Sequence, residues 1–453
     1  MLSTVKHVHF VGIGGIGMSA LALLLKQQGK AVSGSDQMDS ELLDSLRTAG
    51  IQVFIGHDAA HAESADMVVY SSAVKPDNPE RAYAEKNGIP EIRRAELLGE
   101  ISRAYTNTLA IAGTHGKTTT TGMCGQILIN ADLDPSILVG GILPNLNSNL
   151  RLGAQNHIVV EADEYDRSFL ALSPTHIIVT TLEADHLDIY KDLQDVRDTF
   201  LQFVSKLDEN GTLVIQGDDA ELCDLAKRVS HPVISYGLGA GNDYQATDIQ
   251  IDTFTSTFSV VHAGNTMGQI ILNMPGVHNV LNALGACALS AEMGIEFAKI
   301  KSGLESFSGV QRRFQHKGMQ NGVQFIDDYA HHPSELEATL NAARSGWPTA
   351  RIIAVFQPHL YSRTRDFATE FAQALQIADV ALLTDIYPAR ELPIPGVSSD
   401  LILRQGLHHI QLQPLIEDVA AFLKQELVAG DLVITMGAGD IWKLHNMLLG
   451  SEK

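Results

Sequence analysis

The sequence predicts a parallel α/β protein of about three domains. Short β-branched runs alternate with longer amphipathic stretches along the chain, the pattern of repeated βα units. Several of those runs are apolar from end to end, as strands covered on both faces must be. The 453 residues then set the number of domains, at roughly 150 residues each.

In chain order the predicted strands are His7–Ile13, Ala31–Gly34, Met67–Ser71, Thr108–Ala112, His157–Glu161, His176–Thr180, Thr212–Ile215, Val323–Ile326, Arg351–Phe356, Val380–Thr384 and Leu432–Met436. Met18–Gln27 predicts a helix between the first two. Asp243–Ile271 alternates and is rich in Thr, which predicts a small antiparallel excursion before a helix opening at His278. Boundaries fall near Ala104–Thr106, before a new strand opens, and near Ser308–Val310. They divide the chain into 1–105, 106–309 and 310–453. The polar motifs follow the C-terminal ends of predicted strands, where open parallel sheets bind their ligands.

Lys and Arg number 32 and Asp and Glu 53, a formal charge of −21. That excess repels nucleic acid and anionic membrane, so neither is an expected partner. A phosphorylated ligand must be held by a few local cations and backbone amides. With 45% hydrophobic and 19% charged residues, the chain has the material for sizeable cores and is not a disordered sequence. Cys124, Cys223 and Cys287 are too few and too scattered for a disulfide framework or a zinc site. No apolar run approaches the roughly 20 residues needed to cross a bilayer, and the N-terminal run, broken by glycines from Gly12, is not a signal peptide. The expected location is cytoplasmic, as a monomer or homodimer.

The strongest motif is Gly113-Thr114-His115-Gly116-Lys117-Thr118-Thr119, between a predicted strand and a predicted helix. Backbone amides of such a loop point at phosphate oxygens, and the following helix N-terminus favours negative charge. Lys117 reaches the β/γ-phosphates of a nucleoside triphosphate and Thr118 ligates Mg²⁺. The loop departs from the standard P-loop at Ile111, where that pattern has glycine.

A second glycine loop, Gly12-Ile13-Gly14-Gly15-Ile16-Gly17, precedes Met18, and Asp36 ends the next strand. The spacing matches a dinucleotide fingerprint; it equally suits any diphosphate, or plain strand–helix packing. Two acidic clusters, Glu161-Ala162-Asp163-Glu164 and Glu183-Ala184-Asp185-His186-Leu187-Asp188, end predicted strands that read as neighbours. Hard carboxylate oxygens beside a P-loop suit Mg²⁺ or Mn²⁺, with His186 as a nitrogen ligand. Asp163, Asp166 and Asp188 read more simply as helix caps. The last third bunches Arg312 and Arg313, Asp327-Asp328-Tyr329-Ala330-His331-His332, and His359-Leu360-Tyr361-Ser362-Arg363-Thr364-Arg365. Arginine is suited to a bidentate grip on phosphate or carboxylate; His332 and Arg312 are the members most readily explained as structural.

Together the strings HFVGIGGIGMSA, GTHGKTTTT, EADEYDRSF, EADHLDIY, PGVHNVLNA, DDYAHHPSE and FQPHLYSRTRD resemble the Mur ligase family, which builds the peptide of bacterial cell-wall precursors. The resemblance spans almost the whole chain and is strongest to the branch that joins L-alanine to UDP-N-acetylmuramate. It implies an N-terminal Rossmann-like domain for the UDP-sugar, a central ATPase domain, and a C-terminal Rossmann-like domain for the amino acid. It makes Gly12, Gly14, Gly15, Ile16, Gly17 and Met18 a UDP-diphosphate site, with Ser35, Asp36, His57, Ser71 and Ser72 around the nucleotide. Gly113, Thr114, His115, Gly116, Lys117, Thr118 and Thr119 hold ATP, and His278, Asn279 and Asn282 lie on its adenine side. Thr118, Glu161 and His186 hold metal. Arg313, with Asp328 and His331, closes on the ATP phosphates, and Tyr329, His359 and Arg363 form the amino-acid pocket. Later branches carry a carbamylated lysine about fifteen residues past the matching histidine; here that place is Phe200-Leu201, which fits the alanine-adding branch. Leu360 departs from the arginine of that branch, leaving Arg363 or Arg365 for the amino acid's carboxylate. The implied reaction activates the lactyl carboxylate as an acyl phosphate.

Two rival classes fit part of the sequence. An NAD-dependent dehydrogenase uses the first glycine loop and leaves the second idle. A nucleotide-regulated binding module uses the second without forming an amide. Within the family, a ligase that recycles a ready-made peptide is the nearest competitor.

Overall fold

Five short strands open the chain: β1 (His7–Val11), β2 (Ala31–Asp36), β3 (Gln52–Ile55), β4 (Met67–Tyr70) and β5 (Glu91–Arg93). All pair in parallel, in the order β3-β2-β1-β4-β5. This is the doubly wound order, whose direction reverses at β1 and opens a crevice at the strands' C-terminal ends. The structure is a computed structural model that describes residues 2, 4–154, 156–186, 189–389, 391–405 and 409–450. Asp188 lies outside the described residues.

The second sheet is built on β6 (Asn107–Ala112), β7 (Ser136–Leu143), β8 (Ser148–Arg151), β9 (His157–Glu161), β10 (His176–Val179), β11 (Thr212–Gln216) and β12 (Val233–Gly237). Their order is β12-β11-β10-β6-β9-β7-β8, antiparallel only between β7 and β8. The sequence predicts the two acidic strand ends as neighbours. They are not: β6, which carries the P-loop, lies between β9 and β10, so an acidic end flanks it on each side. The Thr-rich excursion forms β13 (Tyr244–Asp252), β14 (Thr255–His262) and β15 (Asn265–Leu272), joined by two-residue turns. The third sheet comprises β16 (Gln315–Gln320), β17 (Val323–Asp328), β18 (Ile352–Phe356), β19 (Val380–Leu383), β20 (Ile410–Leu412) and β21 (Leu432–Met436), in the order β16-β17-β21-β18-β19-β20 and parallel except at β16.

By internal packing the chain groups into two compact units. The first holds Met1–Gln245, Val261–Met267 and Leu281–Phe307; the second holds Ala246–Val260, Gly268–Val280 and Ser308–Lys453. Central strands such as β18 and β21 are buried throughout, which is why they read as unbroken apolar runs. The edge strands β3, β5, β16 and β20 are only partly buried; without a continuous apolar run they leave no signal in the sequence.

Helix α1 (Ile16–Gln27) follows β1 and begins before the predicted Met18, because extended Gly15 serves as its N-cap. Helix α2 (Glu41–Thr48) is capped by Ser40. Helix α3 (Pro79–Asn87) has Asn78 as cap, Pro79 in its first turn and left-handed Gly88 at its end, the usual start and stop chemistry. Helix α4 (Arg94–Ser102) lies in the first unit so close to the turn Tyr165–Ala171 that a Cβ on Gly99 would meet the backbone carbonyl of Ala171. Helix α5 (Lys117–Asn130) follows the P-loop. Among the described residues no helix is long and apolar enough to cross a membrane.

Behind β2 a fully buried carboxylate, Glu80, ties the first sheet together. It accepts the Ser35 hydroxyl at 2.6 Å, and His61 Nδ1, His57 Nδ1 and His9 Nε2 lie at 2.8, 3.2 and 3.7 Å. The Asp58 amide donates at 3.4 Å. Burial pulls this carboxyl up, but His9, Ser35 and His61 outweigh it and hold Glu80 down to about 2, against 4.5 ordinarily. A depressed carboxylate stabilises the fold above its unfolded value and loses that contribution as pH falls through the folded value. Acidification from pH 4.5 towards 2 therefore removes about 3 kcal/mol from the first sheet. Hydrogen exchange of β1 and β2 amides measures this loss, and Glu80→Gln flattens the pH dependence across that window.

Candidate active site

The P-loop turns out of β6 on two glycines. Gly113 has φ +135° and Gly116 φ +80°, and a Cβ on Gly116 would strike the buried Asn282 amide oxygen. Both backbone conformation and space require glycine there. The loop is braced against the end of β10: Thr114 N donates to Thr181 O at 3.0 Å, His115 N to Thr181 Oγ1 at 2.9 Å, and Glu183 N to Thr114 Oγ1 at 2.9 Å. His115 Nε2 lies 3.5 Å from Glu183 Oε2. Thr119 is buried in the first turn of α5.

Lys117 folds back into the loop. Its ammonium donates to Gly113 O at 2.6 Å and Thr114 O at 3.0 Å, and lies 2.8 Å from each oxygen of Glu164. Burial opposes the charge, but Glu164 and then Asp163 raise the Lys117 pKa above its usual value. Burial dominates at the partner and pushes Glu164 up to about 7, with Lys117 opposing.

Glu161 ends β9 and accepts the Thr118 hydroxyl at 3.1 Å and the Gly140 amide at 2.7 Å. A Cβ on Gly140 would lie 2.7 Å from the Glu161 carboxylate, so this glycine of β7 makes room for it. Two oxygens at this spacing suit adjacent corners of a Mg²⁺ octahedron, whose ligands at about 2.1 Å stand about 3 Å apart. His186, at φ +53°, points its Nε2 at Glu164, 3.6 Å away; its ring meets Tyr165 edge-on at 5.1 Å. Asp163 accepts the Tyr165 amide at 3.1 Å, as a capping residue does. Asp166, read from the sequence as a cap, faces Arg93 at 3.6 Å. Phe200 is fully buried against Phe169.

The first glycine loop leaves β1 with Gly12 at φ +82°. Gly12 N and Ile13 N both donate to Ser35 O, and Gly14 N donates to Asp36 Oδ2 at 2.8 Å. One oxygen of Asp36 thus serves the loop itself. A cavity of about 380 Å³ opens at the start of α1 and runs to Glu161: Gly15, Ile16, Gly17, Met18, Ser71, Arg94, Asn149, Glu161 and Asp163 are among its lining residues. Ser35 and His57 do not line it; their side chains face Glu80. Ser72 is exposed beside it. Sequence reasoning passed over Arg94, Asn149 and Gly140. Arg94 follows the C-terminal end of β5, a ligand position of parallel sheets, and that signal could have singled it out. Asn149 donates to Ile16 O at 2.7 Å, a contact no local pattern announces.

In the second unit, Arg313 lies 3.5 Å from Glu335 and 5.2 Å from the Tyr329 ring centroid. Arg312 is structural: it binds Asp327 at 3.1 Å and the Gly437 and Gly439 carbonyls at 2.7 and 3.1 Å. Asp328 is buried, accepts the Phe314 and Ala330 amides at 2.8 Å each, and is pushed up to about 6 by burial, Arg313 opposing. His331 Nδ1 lies 3.2 Å from Glu335, and its ring stands between Tyr329 and His359, with His359 stacked on Tyr387. His332 is buried against Phe367. Arg363 is buried in the helix Tyr361–Asp366, and Leu360 before it is buried at φ +70°. Arg365 is exposed and bound to its neighbour Asp366. His278 lines a cavity of about 350 Å³ with Gly276, Ser334, Glu337 and Asn341; burial, helped by Arg313, pushes its imidazole down to about 4. Asn279 is buried and donates to Pro275 O at 2.7 Å.

Three family models match successive parts of the chain: Mur ligase family, catalytic domain, at residues 7–106; Mur ligase middle domain at 111–290; and Mur ligase, glutamate ligase domain, at 312–439. Proteins named UDP-N-acetylmuramate–L-alanine ligase from a Geobacter species and from Trichlorobacter lovleyi are 45% and 44% identical. The first alignment covers 99% of this chain and 98% of the relative, the second 99% of each. The crystal structure of UDP-N-acetylmuramate-alanine ligase from Thermotoga maritima superposes with a TM-score of 0.83 at 29% identity, covering 98% of both chains. A murein peptide ligase from Psychrobacter arcticus gives 0.71 at 26% identity, again over 98% of both. With two glycine loops in one unit, an acid–hydroxyl pair at the second, and similarity over nearly its whole length, this chain belongs to the Mur ligase family.

Proposed function

We propose that this chain joins L-alanine to the lactyl carboxylate of UDP-N-acetylmuramate, with ATP converting that carboxylate into an acyl phosphate, as a cytoplasmic step in peptidoglycan precursor synthesis. The observation that carries the reading is the single cavity from the first turn of α1 to Glu161, 3.1 Å from the P-loop Thr118. A sugar nucleotide with its diphosphate at the helix N-terminus extends its acid end towards the nucleotide loop.

A carboxylate has a poor leaving group and does not condense with an amine unaided. Its oxygen attacks the γ-phosphorus, the bond to ADP breaks, the amine attacks the carbonyl carbon, and phosphate leaves. Two anions meet in the first step, so electrostatic preorganisation is the main requirement. Lys117 exchanges Glu164 for phosphate oxygens, and the amides of Gly113–Thr119 orient them. Arg313 supplies a second cation, with His331 and Asp328 setting its surroundings. Asn282 fixes the loop at Gly116, and His278 and Asn279 take the adenine side. Thr118, Glu161 and His186 would hold Mg²⁺ or Mn²⁺, which supplies positive charge between the two anions. Tyr329, His359 and Arg363 receive the amino acid, Arg363 holding its carboxylate from a buried position, whereas Arg365 is exposed.

Phosphate release from the purified chain is expected only with UDP-N-acetylmuramate, ATP, Mg²⁺ and an amino acid together. Mass spectrometry against L-alanine, glycine, L-serine and a cell-wall tripeptide should show L-alanine as the preferred acceptor; preference for the tripeptide would make the chain a recycling ligase. Lys117→Ala should lower kcat by roughly a hundred- to a thousandfold with the unfolding transition retained. Arg363→Lys should raise the KM for L-alanine roughly tenfold, whereas Arg365→Lys should leave it unchanged.

A further inference from the structure

The cavity of the first unit is lined by Glu161 and Asp163 and, as its cation among the described residues, Arg94. The Arg94 guanidinium is poorly matched to its present partner. Nη2 lies 3.9 Å from Asp163 Oδ2, beyond hydrogen-bond reach, and the two side chains are 30% and 41% exposed. A pair so loose and wet contributes little. Asp163 is meanwhile engaged by the Tyr165 amide.

Arg94 lies against the first turn of α1. A Cβ on Gly17 would lie 3.0 Å from Arg94 Nη1 and 3.3 Å from Cδ, so the guanidinium rests close over the helix start. The amides of Ile16 and Gly17 belong to that turn and have no intrahelical acceptor. A cation beside the positive end of a helix is unfavourable unless an anion lies between them. A diphosphate is of the right charge and shape, since arginine offers parallel donors to adjacent phosphate oxygens.

We propose that Arg94 is a substrate-binding residue that leaves Asp163 and grips the diphosphate of the sugar nucleotide together with the first-turn amides of α1. This rests on the function proposed above. Asp163 is then the resting partner of a guanidinium whose working partner is the ligand.

Calorimetric titration of the full chain tests this with UDP, UDP-N-acetylmuramate and ATP. Arg94→Ala should weaken UDP and UDP-N-acetylmuramate by a similar factor, about ten- to a hundredfold, and leave ATP unchanged. Asp163→Asn keeps an oxygen for the Tyr165 amide while removing the competing charge. It should tighten UDP several-fold, and this gain should vanish in the Arg94→Ala background. A loss confined to UDP-N-acetylmuramate would mean that Arg94 holds the carboxylate, and a parallel loss of ATP would mean a structural role; either overturns the assignment. Wild-type binding untouched by Arg94→Ala would sink it alone. A wild-type chain that bound neither uridine compound would sink the functional reading as well.

Discussion

A buried ammonium at the start of a helix is the constraint around which the first unit is arranged. Lys117 lies where the unpaired amides of α5 already make the surroundings positive, with its side chain 13% exposed. Such a charge is tolerable only with a partner of opposite sign at close range. Glu164 supplies it at 2.8 Å, at the cost of burying a carboxylate that burial pushes up to about 7. A phosphate offers the same negative charge and also satisfies the loop amides, which Glu164 does not reach. Glu164 thus gives Lys117 the kind of negative charge that a phosphate carries.

The same logic extends through the acidic segment after β9. Glu161 faces Thr118, Asp163 faces Arg94, and Glu164 faces Lys117. One short stretch therefore addresses both glycine loops. It can do so because the chain leaves the extended strand after Glu161 and is already in a helical turn at Glu164, φ −73° and ψ −20°, so these carboxylates no longer alternate as they would along a strand. Arg167 secures the turn from behind by a two-oxygen contact with Asp195 at 2.8 and 2.9 Å. In a chain of charge −21, these acids are local counter-charges for a few cations.

In the second unit adjacent residues take opposite roles. Both guanidinium groups lie over the Tyr329 ring, but Arg312 binds Asp327 and two carbonyls, whereas Arg313 faces Glu335. The backbone between them changes direction, with Arg312 at φ +60° and Phe314 at φ +45°, and Asp328 holds that turn through the Phe314 amide. Sequence shows two arginines in a row; the turn decides which partners each of them meets.

The sequence by itself determined the class of fold, the central strands and both phosphate-type loops. These depend on local signals: continuous apolar runs for strands buried on two faces, and glycines where φ is positive or a neighbour presses close, as at Gly116. Tertiary structure alone decided which charges meet. Glu80 gathers histidines from two segments, His9 and the pair His57 and His61, turning Ser35 and His57 inward; Arg94 reaches Gly17 from another helix; and β6 comes between the two acidic strands. Strand order and helix crossings set these distances, and electrostatic contacts fall off so steeply with distance that residue type and spacing along the chain leave them undetermined.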